Sequence, residues 1–340
     1  MTATIKDVAL HAGVSAKTVS RVMNREVHVR EAVRERVMRA VAELGYRPNA
    51  FARSLSSARS YLIGLFFDDP TSGYAVAMQR GALARCRESH YHLVVERLDC
   101  AAPDWREELA GSVGALRLDG AILTPPLSQT RAILEVLETA GVPFVCVSPD
   151  PMMVLRCGVV DFDEIRAAFE MTERLIALGH RDIGFIEGDP THASTRARRS
   201  GFVNAMAAAG LSIADGRIQP GDFSFRAGLA AGEALLTVGL PPSAIFASND
   251  DMALGVSVAA LKQGLDVPGR LSIAGFDDAP SSRIAWPPIT TVRQPVEEMG
   301  AAAVDMLIDP IGLRNDVPAP HRTRLTFELV ERESTSLAAI

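Results

Sequence analysis

The sequence predicts a small all-α head followed by an α/β core of two doubly wound lobes. Three observations predict it. Residues 4–24, TIKDVALHAGVSAKTVSRVMN, carry apolar residues at helical spacing on both sides of Gly13. From residue 61 onward short apolar runs alternate with amphipathic stretches, and the alternation passes through two rounds. The chain of 340 residues, 48% hydrophobic, is too long for one ordinary core.

Within 4–24, two short amphipathic helices meet at a tight turn, Ala12-Gly13-Val14, and the second helix opens at Ser15. That is the layout of a helix-turn-helix, whose second helix enters the major groove of DNA. Val8, Ala9, Val14, Val19 and Val22 are its expected mini-core. Residues 30–45, REAVRERVMRAVAELG, form a third helix closed by Gly45. The head is placed at 1–47. Pro48 cannot continue a helix, and the stretch at 48–60 is too short to be a stable helix alone. It reads as a hinge.

In the core, YLIGLFF (61–67), YHLVVER (91–97), DGAILTP (119–125) and VPFVCVS (142–148) are expected strands. Helices lie between them near 74–89, 104–117 and 129–140. A second round starts at CGVVD (157–161) and runs through DIGFIEG (182–188), AIFASND (244–250) and LSIAGFDD (271–278), with helices at 163–178, 196–209 and 252–263. Apolar strands separated by helices imply a parallel sheet covered on both faces. Ligands in such sheets bind beyond the carboxyl ends of the strands, here in a cleft between lobes.

The net charge of −6 conceals an asymmetry, +6 over residues 1–60 and −12 over the rest. A basic head on an acidic body fits phosphate contact confined to one end. Cys86, Cys100, Cys146 and Cys157 have no metal-type spacing, so free thiols in a reducing compartment are expected. There is no P-loop, HExxH or GxSxG, so neither enzyme activity nor a metal or cofactor is expected. No apolar run reaches transmembrane length and no secretion signal opens the chain, so a cytoplasmic, nucleoid-associated protein without a membrane partner is expected.

On the second helix, Ala16, Lys17 and Arg21 lie on a face able to reach base edges, and Arg21 or Lys17 can donate to guanine O6 and N7. Ser15, Thr18, Ser20, Asn24 and His28 suit phosphate oxygens, which position without specifying. In the core, Asp277 and Asn249 end apolar strands and Arg198 opens a helical segment. A carboxylate, an amide and a guanidinium can each pair with vicinal hydroxyls. The same set would serve a purine. Asp250 and Asp278 are expected to cap the segments that follow them. His180 is expected to be structural, and Trp286 to pack at the lobe crossover.

IKDVALHAGVSAKTVSRVMN, YRPNAFARSL, LIALGHRDIGFI, SNDDMALG, SIAGFDD and PPITTVRQP occur in one order across almost the whole chain. Together they resemble the LacI/GalR family of transcriptional regulators. The resemblance implies a three-helix head, a hinge helix and a two-lobed core like periplasmic sugar-binding proteins. It divides the core into 61–161 with about 293–322, and 162–292 with about 323–340. It implies a homodimer on a palindromic operator, with a sugar as the effector. A purine corepressor or a phosphorylated carrier protein is the alternative input.

By the same resemblance, Asn49–Ser56 folds in the minor groove, Asn49 and Ala52 contact DNA there, and Leu55 is a wedge that kinks the duplex. Arg198, Asn249 and Asp277 become the main effector contacts, with Phe223 stacking on the ligand. Asp68, Tyr74, Thr124, Ser148 and Phe162 match pocket-lining positions, and Gln294 sits at a crossover within reach. No leucine heptads follow the last strand, which implies a dimer without a tetramer-forming tail. The sequence departs from the family where Arg30-Glu31-Ala32-Val33 opens the third helix, because a side-chain N-cap is missing there.

Overall fold

A computed structural model describes residues 3–23, 29–46, 59–150, 157–237, 239–308 and 321–338. Asn24, His28, Asn49, Ala52 and Leu55 lie outside the described residues. The chain divides into two units, Met1–Tyr61 and Leu62–Ile340.

The first unit is a three-helix head of α1 (Ile5–Ala12), α2 (Ala16–Met23) and α3 (Glu31–Glu43). Thr4 caps α1 through a capping box, in which its hydroxyl accepts from Asp7 N and the Asp7 carboxylate accepts from Thr4 N at 2.8 Å. Gly13 ends α1 with φ +62°, a left-handed conformation that glycine adopts without steric cost. Ser15 starts α2 by accepting from Thr18 N at 3.1 Å. Val8, Val19, Val22, Val37 and Ala40 close the core, each valine adding about 1.5–3 kcal/mol of burial. Arg30, at the N-cap of α3, makes no side-chain cap, as its sequence implies.

The second unit holds two six-stranded sheets. The first part of the chain supplies β1 (Leu62–Phe67), α4 (Gly73–Glu88), β2 (His92–Arg97), α5 (Trp105–Leu116), β3 (Gly120–Leu123), α6 (Arg131–Ala140), β4 (Phe144–Val147) and β5 (Gly158–Phe162). Next come α7 (Glu164–Ala177), β6 (Ile183–Ile186), α8 (Ala193–Ala208), β7 (Ile218–Gln219), α9 (Phe225–Thr237), β8 (Ala244–Ala247), α10 (Asp250–Lys262), β9 (Ser272–Asp277), α11 (Pro280–Ile284) and β10 (Thr290–Arg293). The last elements are α12 (Val296–Ile308), β11 (Arg322–Leu325) and β12 (Glu328–Val330).

The sheet orders are β11-β5-β4-β3-β1-β2 and β12-β10-β9-β8-β6-β7. All pairs are parallel except β10 with β12. Central strands β3, β4, β6 and β8 are buried along their whole length, as a sheet covered on both faces requires. The outer strand β2 is instead partly or fully exposed along its length.

Several expectations change here. CGVVD pairs with β4, Val145 opposite Gly158, so β5 lies inside the first sheet, between β4 and β11, and does not open a second round. The helices α9 and α12 were not read from the sequence. α12 returns the chain to the first lobe against α4, so closely that a Cβ on Gly81 would lie 1.8 Å from the Glu297 carbonyl. The final crossing falls between β11 and β12, after Leu325, a few residues past the bound expected at about 323. Trp286 does not pack at the crossover but is 88% exposed. His180 is structural as expected: buried, its Nδ1 hydrogen-bonded to Ser243 Oγ at 2.9 Å and its Nε2 to Ser272 Oγ at 3.0 Å.

Candidate functional site: an exposed recognition helix and an interlobe cavity

In the head, burial of Val19 and Val22 against α1 and α3 fixes which face of α2 is left outward. Lys17 and Arg21 lie four residues apart on that face and are exposed. Ala16, Thr18 and Ser20 are half-buried beside them. Ser15, expected on phosphate, spends its hydroxyl on the helix start, bonding Thr18 N and Thr18 Oγ1. A short helix with two exposed cations and small neighbours can lie in a major groove.

In the core, a cavity of about 430 Å³ opens at the carboxyl ends of both sheets. That size lies in the range of small-molecule sites. The strand orders place the switch points at β1/β3 and β6/β8, where loops diverge and leave room. Of the expected residues, Asp68, Tyr74, Ser148, Arg198, Phe223, Asn249, Asp277 and Gln294 line it.

Thr124 and Phe162 do not line the cavity. Thr124 is fully buried and its hydroxyl donates to the Phe66 carbonyl at 2.9 Å, because a lone hydroxyl inside a sheet must find a backbone acceptor. Phe162 packs against Phe276, with ring centroids 6.3 Å apart.

Arg198 is the centre of the cavity's polar network. Its Nε donates to Glu164 at 3.0 Å, its Nη1 donates to the Ser248 carbonyl at 2.5 Å, and Asp277 lies 3.6 Å away. The guanidinium also covers the Phe276 ring at 3.9 Å. Desolvation pushes the Asp277 carboxyl up to about 6, against the pull of Arg198 and of Gln294, whose amide donates to it at 2.5 Å. Asn249 caps α10, accepting from Met252 N at 2.9 Å while its amide donates to the Phe223 carbonyl at 2.8 Å. It therefore positions the aromatic residue as well as the helix.

Phe223 seats its ring where a Cβ on Gly188 would be 2.1 Å from the ring edge, so any larger residue at 188 would displace the ring. Ser148, Phe223 and Asp277 have φ of 40°, 68° and 114°, a concentration of left-handed backbone at one site.

Asp278, expected as a cap, is instead the anchor of an ion cluster. Its side chain is 1% exposed and receives Arg283 at 2.7 Å, Arg293 at 2.7 Å, and Arg332. These guanidiniums hold its carboxyl well below the usual carboxylate range. Asp250 likewise caps no helix of its own. Buried in the first turn of α10, it accepts from Ala279 N, at the start of α11, at 2.7 Å and from Thr291 Oγ1 at 2.6 Å.

Sequence reasoning missed Glu164 and His192. Nothing in the sequence marks Glu164 as the partner of Arg198. His192 has a signal: Asp189-Pro190-Thr191 before it repeats Asp69-Pro70-Thr71 of the first lobe. Its ring stands edge-on to Phe223 at 5.3 Å, and burial pushes its basicity below the usual imidazole value.

A helix-turn-helix head joined to a two-lobed core with a polar cavity defines the class of ligand-responsive DNA-binding regulators. Residues 4–49 match the model of the bacterial regulatory proteins of the lacI family, and residues 172–335 match the periplasmic binding protein-like domain. The chain is 35% identical over 337 residues to the ribose operon repressor of Escherichia coli (strain K12), covering 98% of this chain and 99% of that one. Among solved structures it is similar to a transcriptional regulator CelR–cellobiose complex, with TM-score 0.74, 31% identity and coverage of 98% and 99%. It is also similar to the lac repressor dimer bound to operator and the anti-inducer ONPF, with TM-score 0.77, 28% identity and coverage of 99% and 100%. The chain belongs to the LacI family of transcriptional regulators. No helix among the described residues is long and apolar enough to cross a membrane.

Proposed function

We propose that this protein is a homodimeric repressor that leaves a palindromic operator when a sugar fills the interlobe cavity. The observation that carries this is the convergence of Arg198, Asp277, Asn249 and Phe223 at strand ends, in a chain that opens with a DNA-reading head. Ala16, Lys17 and Arg21 face the base edges, while Thr18 and Ser20 hold phosphates. Asn24, His28, Asn49 and Ala52 add backbone and minor-groove contacts, and Leu55 is the wedge. The names of two relatives, a ribose operon repressor and a cellobiose complex, support a sugar.

A ligand changes the balance of two states only by binding one of them better. The cavity supplies that difference. Glu164 and Gln294 sit on two of the segments where the chain crosses between lobes, and both bond residues of the ligand clamp. A sugar that engages Arg198 and Asp277 therefore pulls on the crossings themselves. In the dimer that shift separates the hinge origins, and operator affinity falls.

The test is operator binding by the full-length protein to its own upstream DNA, with and without a panel of sugars, at two salt concentrations. The expected outcome is preference for a palindrome by about a thousandfold over bulk DNA, lost on adding one sugar. Arg198→Ala should hold the operator but lose the sugar response, a deficit of about 1.5–3 kcal/mol in sugar binding. Release by a purine or by a phosphorylated protein, with no response to any sugar, would overturn the proposal.

A further inference from the structure

The cavity wall carries seven carboxylates and one arginine among the described residues. The arginine is already compensated, since Arg198 lies against both Glu164 and Asp277. His192 does not redress the balance, because burial holds its ring neutral at pH 7. The adjoining crevice holds a further cation, Arg97. It donates to the Asp68 carbonyl at 3.1 Å and has Asp99 at 4.0 Å. Among the described residues that line the cavity, an entering phosphate or carboxylate would meet no unpaired positive charge, in a cleft where repulsion is poorly screened.

The hydrogen-bonding inventory points the same way. The carboxylates of Asp68 and Asp251 accept no hydrogen bond from any described residue, although both line the cavity. They and the outer oxygen of Asp277 call for a ligand that donates. One donor waits in the opposite sense. Tyr74 lines the cavity, and its hydroxyl is closed off from solvent with no partner among the described residues. Burial and the nearby Glu164 and Asp277 keep the phenol protonated, so it has a proton to donate to an acceptor oxygen. A sugar hydroxyl is both donor and acceptor and meets both needs.

We infer that the effector carries no negative charge: it is a neutral or amino sugar, selected by an acidic cavity wall and by the Tyr74 hydroxyl, and phosphorylated and uronate forms are rejected. This rests on the proposal that the cavity takes a sugar.

The experiment uses the full-length protein and matched probes, followed by thermal shift and by release of operator DNA. The probes are D-ribose, D-xylose, D-glucose, D-galactose, cellobiose and D-glucosamine, with ribose 5-phosphate, glucose 6-phosphate, glucuronate and galacturonate. One uncharged or amino sugar should raise the melting midpoint with concentration and release operator. The anionic forms should bind at least a hundredfold more weakly. An anionic probe that binds as well as its neutral parent overturns the charge rule and leaves the sugar-response proposal standing. Silence from every probe overturns both. Tyr74→Phe should weaken the responding sugar about tenfold without lowering the midpoint of the unliganded protein, since it removes an unsatisfied buried hydroxyl. Unchanged affinity in that variant overturns the role given to Tyr74.

Discussion

After its first strand the first lobe turns through Asp69-Pro70-Thr71, and the second lobe turns through Asp189-Pro190-Thr191. Each aspartate accepts from the threonine two residues on: at 2.9 Å from N and 2.6 Å from Oγ1 in the first lobe, and at 2.8 Å and 2.5 Å in the second. Both sheets also share one strand order. The lobes differ in how the next helix is capped and in how the edge charges are held. In the first lobe Ser72 caps α4 itself, accepting from Ala75 N at 3.2 Å. In the second, His192 makes no cap, and Ala193 N donates at 2.8 Å to Gln129 of the first lobe. Repetition of one plan supplies the scaffold, and the departures from it place the contacts that join the lobes.

The edge charges give the largest test of this contrast. In the first lobe the buried Asp161 is met by two arginines, Arg322 and Arg324, both about half exposed. In the second lobe the buried Asp278 is met by three, Arg283 and Arg293 about as exposed as those and Arg332 largely buried. Asp278→Ala should cost the core about 3–5 kcal/mol, as expected when a buried ion cluster loses one partner. Asp161→Ala should cost clearly less, and urea unfolding of the two variants measures the difference. Equal losses would break the distinction between the lobes.

The next test sets Asp277 against its neighbour Asp278. Burial raises the Asp277 carboxyl to about 6, while the arginines depress that of Asp278. The signs are opposite. The folded core holds the Asp277 proton more tightly than the unfolded chain does, so this group's contribution to stability falls as pH rises from about 4 to 6. Asp278 contributes stability above the ordinary carboxylate range and loses it as pH falls below that range. If the ionised form of Asp277 binds the sugar, affinity should drop about tenfold for each pH unit below 6. Isothermal titration from pH 5 to 8 checks this, and Asp277→Asn should flatten the profile. A wild-type profile already flat would remove Asp277 from the clamp.

The smallest effect belongs to the two caps. Ser72→Ala should lower core stability by about 1 kcal/mol in any lobe arrangement. Gln129→Ala removes a contact made between lobes, so its loss should appear in sugar affinity as well as in melting. The two readouts, compared for both variants, separate a local cap from one borrowed across the cleft.

Much of this was legible in the residues. The head's turn needs a left-handed residue and Gly13 stands there. The missing cap at Arg30 follows from its chemistry. Strand ends such as Asn249 and Asp277 could be picked out because a polar group stops an apolar run. The partners of those groups could not. Glu164 reaches Arg198 across 34 positions, and Arg332 reaches Asp278 across 54. Thr124 resembled a pocket residue, but burial turned its hydroxyl to the backbone. Trp286 looked like packing, but the surface left it bare.

The sequence alone determined the two architectures, the register of apolar faces and the α2 surface carrying Lys17 and Arg21, because these depend on spacing within one element. Tertiary structure decided which strands β5 pairs with, that Glu164 meets Arg198, and that the cavity gathers far more carboxylate than cation. Each of these depends on elements distant in the chain meeting in space, and on the desolvation and charge pairing that arise only when they meet.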